Sequence, residues 1–208
     1  MFDLVVSVAG LIALFPLIAL VALVIAVKSG KPVFYLQKRV GKDAKLFNCV
    51  KFRTMVEGGE KKGSITCSTD DRFTSEGTFL RRYKIDELPQ LWNVAIGKMS
   101  FVGPRPDVPG YADNLSGRDR TMLSLKPGIT GPASIYFRYE EEILARVADP
   151  KKVNDTIIWP VKVRINMEYC KNWSFLKDIG YILITVFPAL SRVFKLVNPS
   201  PRTIEQVH

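Results

Sequence analysis

Apolar and polar positions split this chain into two unlike parts. Residues 4–27 form a run of 24, interrupted only by Ser7, Gly10 and Pro16. As a straight helix the run reaches about 36 Å at ~1.5 Å per residue, against a hydrocarbon core of roughly 30 Å. It is apolar on every face, which argues against a buried core helix. It lacks a basic leading region, and Lys28-Ser29-Gly30-Lys31 is no small-x-small cleavage site, so a signal peptide fits poorly. Pro16 sits at the midpoint, where it removes a backbone donor and predicts a kink. Two arms bent at Pro16 could enter and leave one leaflet, or a kinked helix could span. The pattern leaves both open. Lys28 and Lys31 put the body on the cytoplasmic side either way.

The body alternates short patterns. Val33-Phe34-Tyr35-Leu36 and Leu46-Phe47-Asn48-Cys49-Val50-Lys51-Phe52 read as two strands, with residues 41–45 as the hairpin loop. Residues 56–72 are polar and read as a mobile loop. A short basic helix is expected over 78–84. Leu88, Leu91, Trp92 and Ala95 recur at helical spacing, and Pro89 suits the first turn. Residues 101–132 are rich in Pro and Gly with apolar residues interleaved, so ordered turns are expected. Residues 140–148 and 153–171 read as helices. Residues 176–196 form a last apolar run, either a core helix or an amphipathic helix on the bilayer surface. The expectation is an α+β fold: a membrane-embedded head, residues 1–30, and a mainly helical body, residues 31–208, with one small β-hairpin.

Charge sharpens this division. The chain has 208 residues with 30 Lys+Arg, 20 Asp+Glu and a formal net charge of +10. Residues 1–27 hold one of those charges, Asp3, so the remainder carries +11. At 47% hydrophobic and 11% aromatic this is no disordered polyelectrolyte. Cys49, Cys67 and Cys170 are too few and too scattered for a disulfide scaffold or a zinc site. The single His208 is terminal, which excludes His-based triads, and no phosphate-binding glycine loop is present.

Carboxylates, arginines and Pro/Gly turns remain. Asp86-Glu87 stands at a helix entrance. Adjacent helical side chains diverge by ~100°, so the pair can serve two roles at one site but cannot share a proton face to face. The bland alternative is stabilisation of the helix dipole. Arg105 lies between Pro104 and Pro106, which hold its backbone extended, and a planar guanidinium fixed this way suits a phosphate. Arg81, Arg82 and Arg138 are further basic candidates, as is the Lys51-Phe52-Arg53-Thr54 run. Contact with anionic lipid headgroups is their alternative.

The ordered combination is more specific than any part. Pro32 to Gly41, then Phe47 to Met55, then Leu80-Arg81-Arg82-Tyr83-Lys84-Ile85-Asp86-Glu87-Leu88-Pro89-Gln90-Leu91-Trp92-Asn93-Val94, then Gly97 to Pro106, then Lys126-Pro127-Gly128-Ile129-Thr130-Gly131 resembles the bacterial monotopic phosphoglycosyl transferases. The resemblance covers about residues 2–187. It implies a re-entrant helix-break-helix head at Phe15-Pro16, membrane-surface amphipathic helices, and a site on the cytoplasmic face of the inner membrane. It implies transfer of a sugar 1-phosphate from a UDP-sugar to undecaprenyl phosphate, with loss of UMP. Asp86 matches the nucleophile and Glu87 its partner, and the pair is expected to hold Mg²⁺. Arg81, Arg105, Arg138, Lys51, Gln37, Pro104 and Pro106 match positions near the substrate phosphates or nucleotide. Phospholipid is an expected partner and nucleic acid is not. A homodimer is left open.

The chain departs from the family pattern in places. Phe15 stands where a Ser commonly precedes the membrane proline. Pro132-Ala133-Ser134 replaces an apolar-Ala-Gln sequence, residues 139–160 are longer than in small members, and Asn166 stands where an Asp is frequent. Asp178 is therefore left without an assigned role. Two other readings compete: a non-catalytic basic membrane protein binding anionic lipid or nucleic acid, and direct attack by the lipid phosphate in a ternary complex.

Overall fold

The computed structural model describes residues 1–56, 58–59 and 71–190. Most of the loop expected over 56–72 and the end of the last apolar run lie outside the described residues. The head is one helix, α1 (Phe2–Lys28). It continues through Pro16 without interruption, so the expected break is absent from the backbone pattern. One lost hydrogen bond does not end a helix that neighbouring turns hold. Among the described residues, α1 is the one helix long and apolar enough to cross a membrane.

Its two sides differ. Ser7, Val21 and Ile25 are buried against the body, while Ile12 (71%), Phe15 (67%) and Val27 (77%) are exposed. The body holds α1 at both ends. At the start, Asp3 Oδ1 accepts from the Phe101 amide at 3.4 Å, and the Phe2 ring packs edge-on to Phe175 with centroids 5.2 Å apart. Midway, Gly10 lies on Leu91, whose Cδ1 would be 3.4 Å from a Cβ placed there. At the end, Val21 and Ile25 cluster with Phe52 and Leu80. The Ser29 hydroxyl meets the Glu76 carboxylate, and Arg53 Nη2 donates to the Gly30 carbonyl at 2.6 Å.

The hairpin appears as expected. β1 (Phe34–Val40) and β2 (Leu46–Phe52) pair antiparallel, with Phe34 opposite Phe52 and Val40 opposite Leu46. Next come α2 (Ser75–Arg82), which starts three residues earlier than expected because Thr74 caps it, and α3 (Gln90–Ala95). Thr74 Oγ1 accepts from the Gly77 amide at 3.0 Å. Inside the Pro/Gly region, β3 (Ser100–Val102) and β4 (Gly128–Thr130) form a small parallel pair. Gly128 is required there, since a Cβ on it would lie 2.1 Å from the Gly103 nitrogen.

The remainder is helical: α4 (Pro132–Tyr136), α5 (Glu140–Leu144), α6 (Pro150–Val153), α7 (Trp159–Lys171) and α8 (Phe175–Val186). Asn154–Ile158 joins α6 to α7 as a π turn, which makes 150–171 nearly continuous. Val102, Ile135, Tyr169, Tyr181 and Ile184 bind β3 to α4, α7 and α8. Val40, Ala112, Met122, Leu123 and Val163 bind the hairpin to the 117–124 turns and α7. Apolar side chains also remain outside, among them Trp173 (52%), Phe175 (47%) and Leu176 (80%) at the start of α8. With the outer side of α1 they make a surface suited to lipid rather than water.

Candidate active site

The Asp86-Glu87 pair owes its place to a chain reversal. α2 ends at Arg82, and Lys84 adopts the left-handed conformation (φ 56°). That costs a non-glycine residue roughly 1–2 kcal/mol. The reversal feeds a single 3₁₀ turn, Ile85–Glu87, in which both acids are buried. α3 follows at once and is pinned to β2 by one side chain. Asn93 Oδ1 accepts from the Val50 amide at 2.8 Å, and its Nδ2 donates to the Asn48 carbonyl at 2.8 Å. This docking brings Lys51, the next residue on β2, beside the acids.

Glu87 is the anionic centre. Lys51 Nζ lies 3.1 Å from its Oε1. Arg105 Nη1 donates to Oε2 at 3.3 Å, and Nη2 closes a second contact to Oε1. Burial works against the Glu87 charge, but Arg105 and then Lys51 outweigh it and hold the carboxyl well below the ordinary range. Glu87 in turn keeps Arg105 charged. Burial pushes the Lys51 ammonium down, and Glu87 opposes that shift.

Asp86 is the opposite case. It is 4% exposed, and its Oδ1 is buried without a hydrogen-bond partner among the described residues. Burial pushes its pKa up, the neighbouring Glu87 adds to this, and Lys51, Arg81 and Lys84 pull it back. A buried acceptor left open costs roughly 1–3 kcal/mol, so this oxygen is poised for an electrophile, a proton or a cation. The two acids thus differ in environment and can differ in role.

The other expected residues differ in where their contacts lie. Arg81 faces Asp86 electrostatically, while its guanidinium stacks 4.5 Å from the Phe73 centroid and bonds Glu141 Oε1 at 2.5 Å. Pro104 and Pro106 frame Arg105 and offer carbonyls: Pro104 accepts from the Gly128 amide at 2.9 Å, Pro106 from Arg39 Nη1 at 2.9 Å. Gln37 touches the site at one remove. Its Oε1 accepts from Arg39 Nε at 3.0 Å and Nη2 at 2.5 Å. Arg138 donates to the carbonyls of Ile184 (3.1 Å) and Thr185 (3.5 Å) at the end of α8. Asn166 is buried against Met122, and Asp178 accepts from Tyr169 (2.7 Å) and Trp173 (2.9 Å). Neither of these contacts reaches the Asp-Glu pair. Phe15 and Pro16 lie on the outer side of α1.

Arg39 and Asp107 were absent from the expected set. Gln37 and Arg39 are two apart on a strand and share one face, a signal present in the sequence. Asp107 follows Pro106 directly. Burial raises its carboxyl to about 6, with Lys162 and Arg39 acting against the rise.

Among the described residues no three His, Cys, Asp or Glu side chains gather as a ready metal cage. The open Asp86 Oδ1 nevertheless fits a Mg²⁺ that takes few protein ligands and completes its shell with phosphate oxygens and water. Both Glu87 oxygens are engaged by Lys51 and Arg105, so Asp86 is the better ligand of the two.

Comparison with known proteins identifies the family of the chain as a whole. The family model described as bacterial sugar transferase matches residues 1–192. The chain is 36% identical over 163 residues to the uncharacterized sugar transferase EpsL of Bacillus subtilis, covering 78% of this chain and 72% of that protein. It is 31% identical to the exopolysaccharide production protein ExoY of Sinorhizobium fredii, covering 89% and 82%. It is 35% identical to the UDP-glucose:undecaprenyl-phosphate glucose-1-phosphate transferase of Escherichia coli, covering 89% of this chain but 38% of that longer protein. A match across nearly the whole described chain, with the Asp-Glu turn and the Pro-Arg-Pro loop inside it, places this chain in the bacterial sugar transferase family.

Proposed function

We propose that this chain transfers a sugar 1-phosphate from a UDP-sugar to undecaprenyl phosphate, through a phosphosugar held on Asp86. The observation that carries the reading is the buried, open Asp86 oxygen beside a carboxylate clamped by Lys51 and Arg105. In the first step the ionised Asp86 oxygen attacks the β-phosphorus. The bond from that phosphorus to the bridging oxygen breaks, and UMP leaves with the electron pair. In the second step an oxygen of the lipid phosphate attacks the same phosphorus, and the Asp86 carboxylate is released. Arg105, Lys51 and Arg81 offset the repulsion between a carboxylate and a diphosphate. Mg²⁺, when bound at Asp86, would supply further neutralisation of phosphate charge. Splitting the transfer lets one site serve a water-soluble donor and a membrane acceptor in turn.

The relatives named for transfer to undecaprenyl phosphate and for exopolysaccharide production support this assignment. Glucose is the sugar in the first comparison to try. UMP release is expected with a UDP-sugar in the presence of undecaprenyl phosphate, with parallel double-reciprocal lines when both substrates vary. Intersecting lines would favour the ternary-complex mechanism, and no release across a panel of UDP-sugars would refute the assignment. Binding of anionic lipid without turnover, indifferent to Asp86, would support the non-catalytic reading instead.

The same proposal places the protein on the cytoplasmic face of the inner membrane with α1 re-entering one leaflet. Contacts from both ends of α1 to one body support this. A spanning helix keeps only one end on the body's side. In a background without native cysteines, a cysteine at Phe2 is expected to stay protected from an impermeant thiol reagent added outside spheroplasts. Labelling there would refute the re-entrant arrangement.

A further inference from the structure

We infer that Arg39 is a positioning residue, which sets the Arg105 guanidinium against Glu87 and toward an incoming phosphate. The inference rests on the phosphate role of Arg105 proposed above. Gln37 and Arg39 lie on one face of β1, and Gln37 Oε1 accepts from two Arg39 nitrogens, Nε at 3.0 Å and Nη2 at 2.5 Å. That fork fixes the guanidinium plane. The remaining arm, Nη1, donates to the Pro106 carbonyl at 2.9 Å. One residue further, the Val40 amide donates to the Asp107 carbonyl at 2.8 Å. The chain leaving Arg105 is thus tied to β1.

The chain entering Arg105 is tied to β4. The Gly103 amide donates to Thr130 O and the Gly128 amide to Pro104 O, both at 2.9 Å. Pro104 and Pro106 carry no N–H, so carbonyls are the handles by which these two residues can be held. Arg39 supplies the handle at Pro106. A neutral donor would satisfy that carbonyl equally well, yet a second guanidinium is buried here at an electrostatic cost. Burial lowers its pKa first and the nearby Arg105 charge next, against Cys49, Asp107 and Glu87. Two like charges on adjacent segments repel. Arg39 is locked by Gln37, whereas the Arg105 side chain is 41% exposed. The repulsion therefore favours the pose in which Arg105 meets the opposite charge of Glu87.

The test is a double-mutant cycle on UMP release, with thermal unfolding measured alongside. Arg39→Ala is expected to lower kcat/KM by about 10- to 100-fold, the scale of a displaced catalytic contact. Arg39→Ala added to Arg105→Ala is expected to cost nothing further. A general folding defect would instead multiply with the Arg105 loss. Should Arg39→Ala fail to fold, Gln37→Ala serves, because it frees the guanidinium while leaving the Pro106 contact. Its smaller loss is expected to vanish in the Arg105→Ala background as well. Full activity of Arg39→Ala, or losses that add in the cycle, would overturn the inference alone. Full activity of Arg105→Ala would overturn it together with the phosphate role of Arg105.

Discussion

Asp86→Asn is expected to lose UMP release by about 10⁴-fold or more, the scale seen when a covalent nucleophile is removed, and to melt no lower than the parent chain. The first half follows from chemistry, because an amide cannot form the mixed anhydride with phosphate. The second follows from burial. The Asp86 pKa is pushed up by desolvation and then by Glu87, so its ionised form is a burden on the fold. A carboxyl whose folded pKa is raised contributes stability below its unfolded value of ~3.9 and loses it as pH rises through the folded value. Asparagine is neutral throughout and does not incur that loss. The melting difference in favour of Asn is therefore expected near pH 7, should shrink as pH falls from the folded value toward the unfolded one, and should be gone below the unfolded value. Full activity in this variant would refute Asp86 as nucleophile. A large fall in melting temperature at pH 7 would refute the electrostatic burden assigned to it.

Glu87→Gln should behave in the opposite sense. Lys51 and Arg105 would lose their shared counter-ion in a site where Glu87 is 10% and Lys51 14% exposed at the side chain. Removing one partner of a buried pair costs roughly 3–5 kcal/mol; with Arg105 41% exposed, about 2–4 kcal/mol is expected. The Glu87 pKa is depressed, so its contribution is full above the unfolded value of ~4.3 and lost as pH falls through the folded one. The penalty of Glu87→Gln should thus be largest at neutral pH and fade in acid, measured by urea unfolding across pH. Activity should fall too, since Arg105 and Lys51 lose their anchor. A variant as stable as the parent at pH 7 would refute the clamp. The two substitutions together separate a carboxylate kept for chemistry from one kept for placement.

Much of this organisation was legible along the chain. The apolar head, the hairpin, the helix after Pro89 and the Asp86-Glu87 turn follow from hydrophobic period and turn residues, which are local signals. Gln37 and Arg138 show where local signals end. Both are expected near substrate; among the described residues the contacts of Gln37 run to Arg39, and Arg138 caps carbonyls at the end of α8. Matching a motif position does not show which neighbour a side chain meets. The role of Arg39 depends on a partner, Pro106, 67 residues away, which no local pattern marks.

The sequence by itself determined an apolar segment on a basic body, an acid pair at a helix entrance and an arginine between prolines. It did so because each depends on residues close together in the chain. Only the tertiary structure decided that the two acids are unequal. Lys51 comes from β2 and Arg105 from the loop after β3, and both close on Glu87. Asp86, one residue away, is left buried with an open oxygen. Burial and counter-charge are set by whatever the fold packs around a group, and here that difference separates the acid suited to attack from the one that holds the cations.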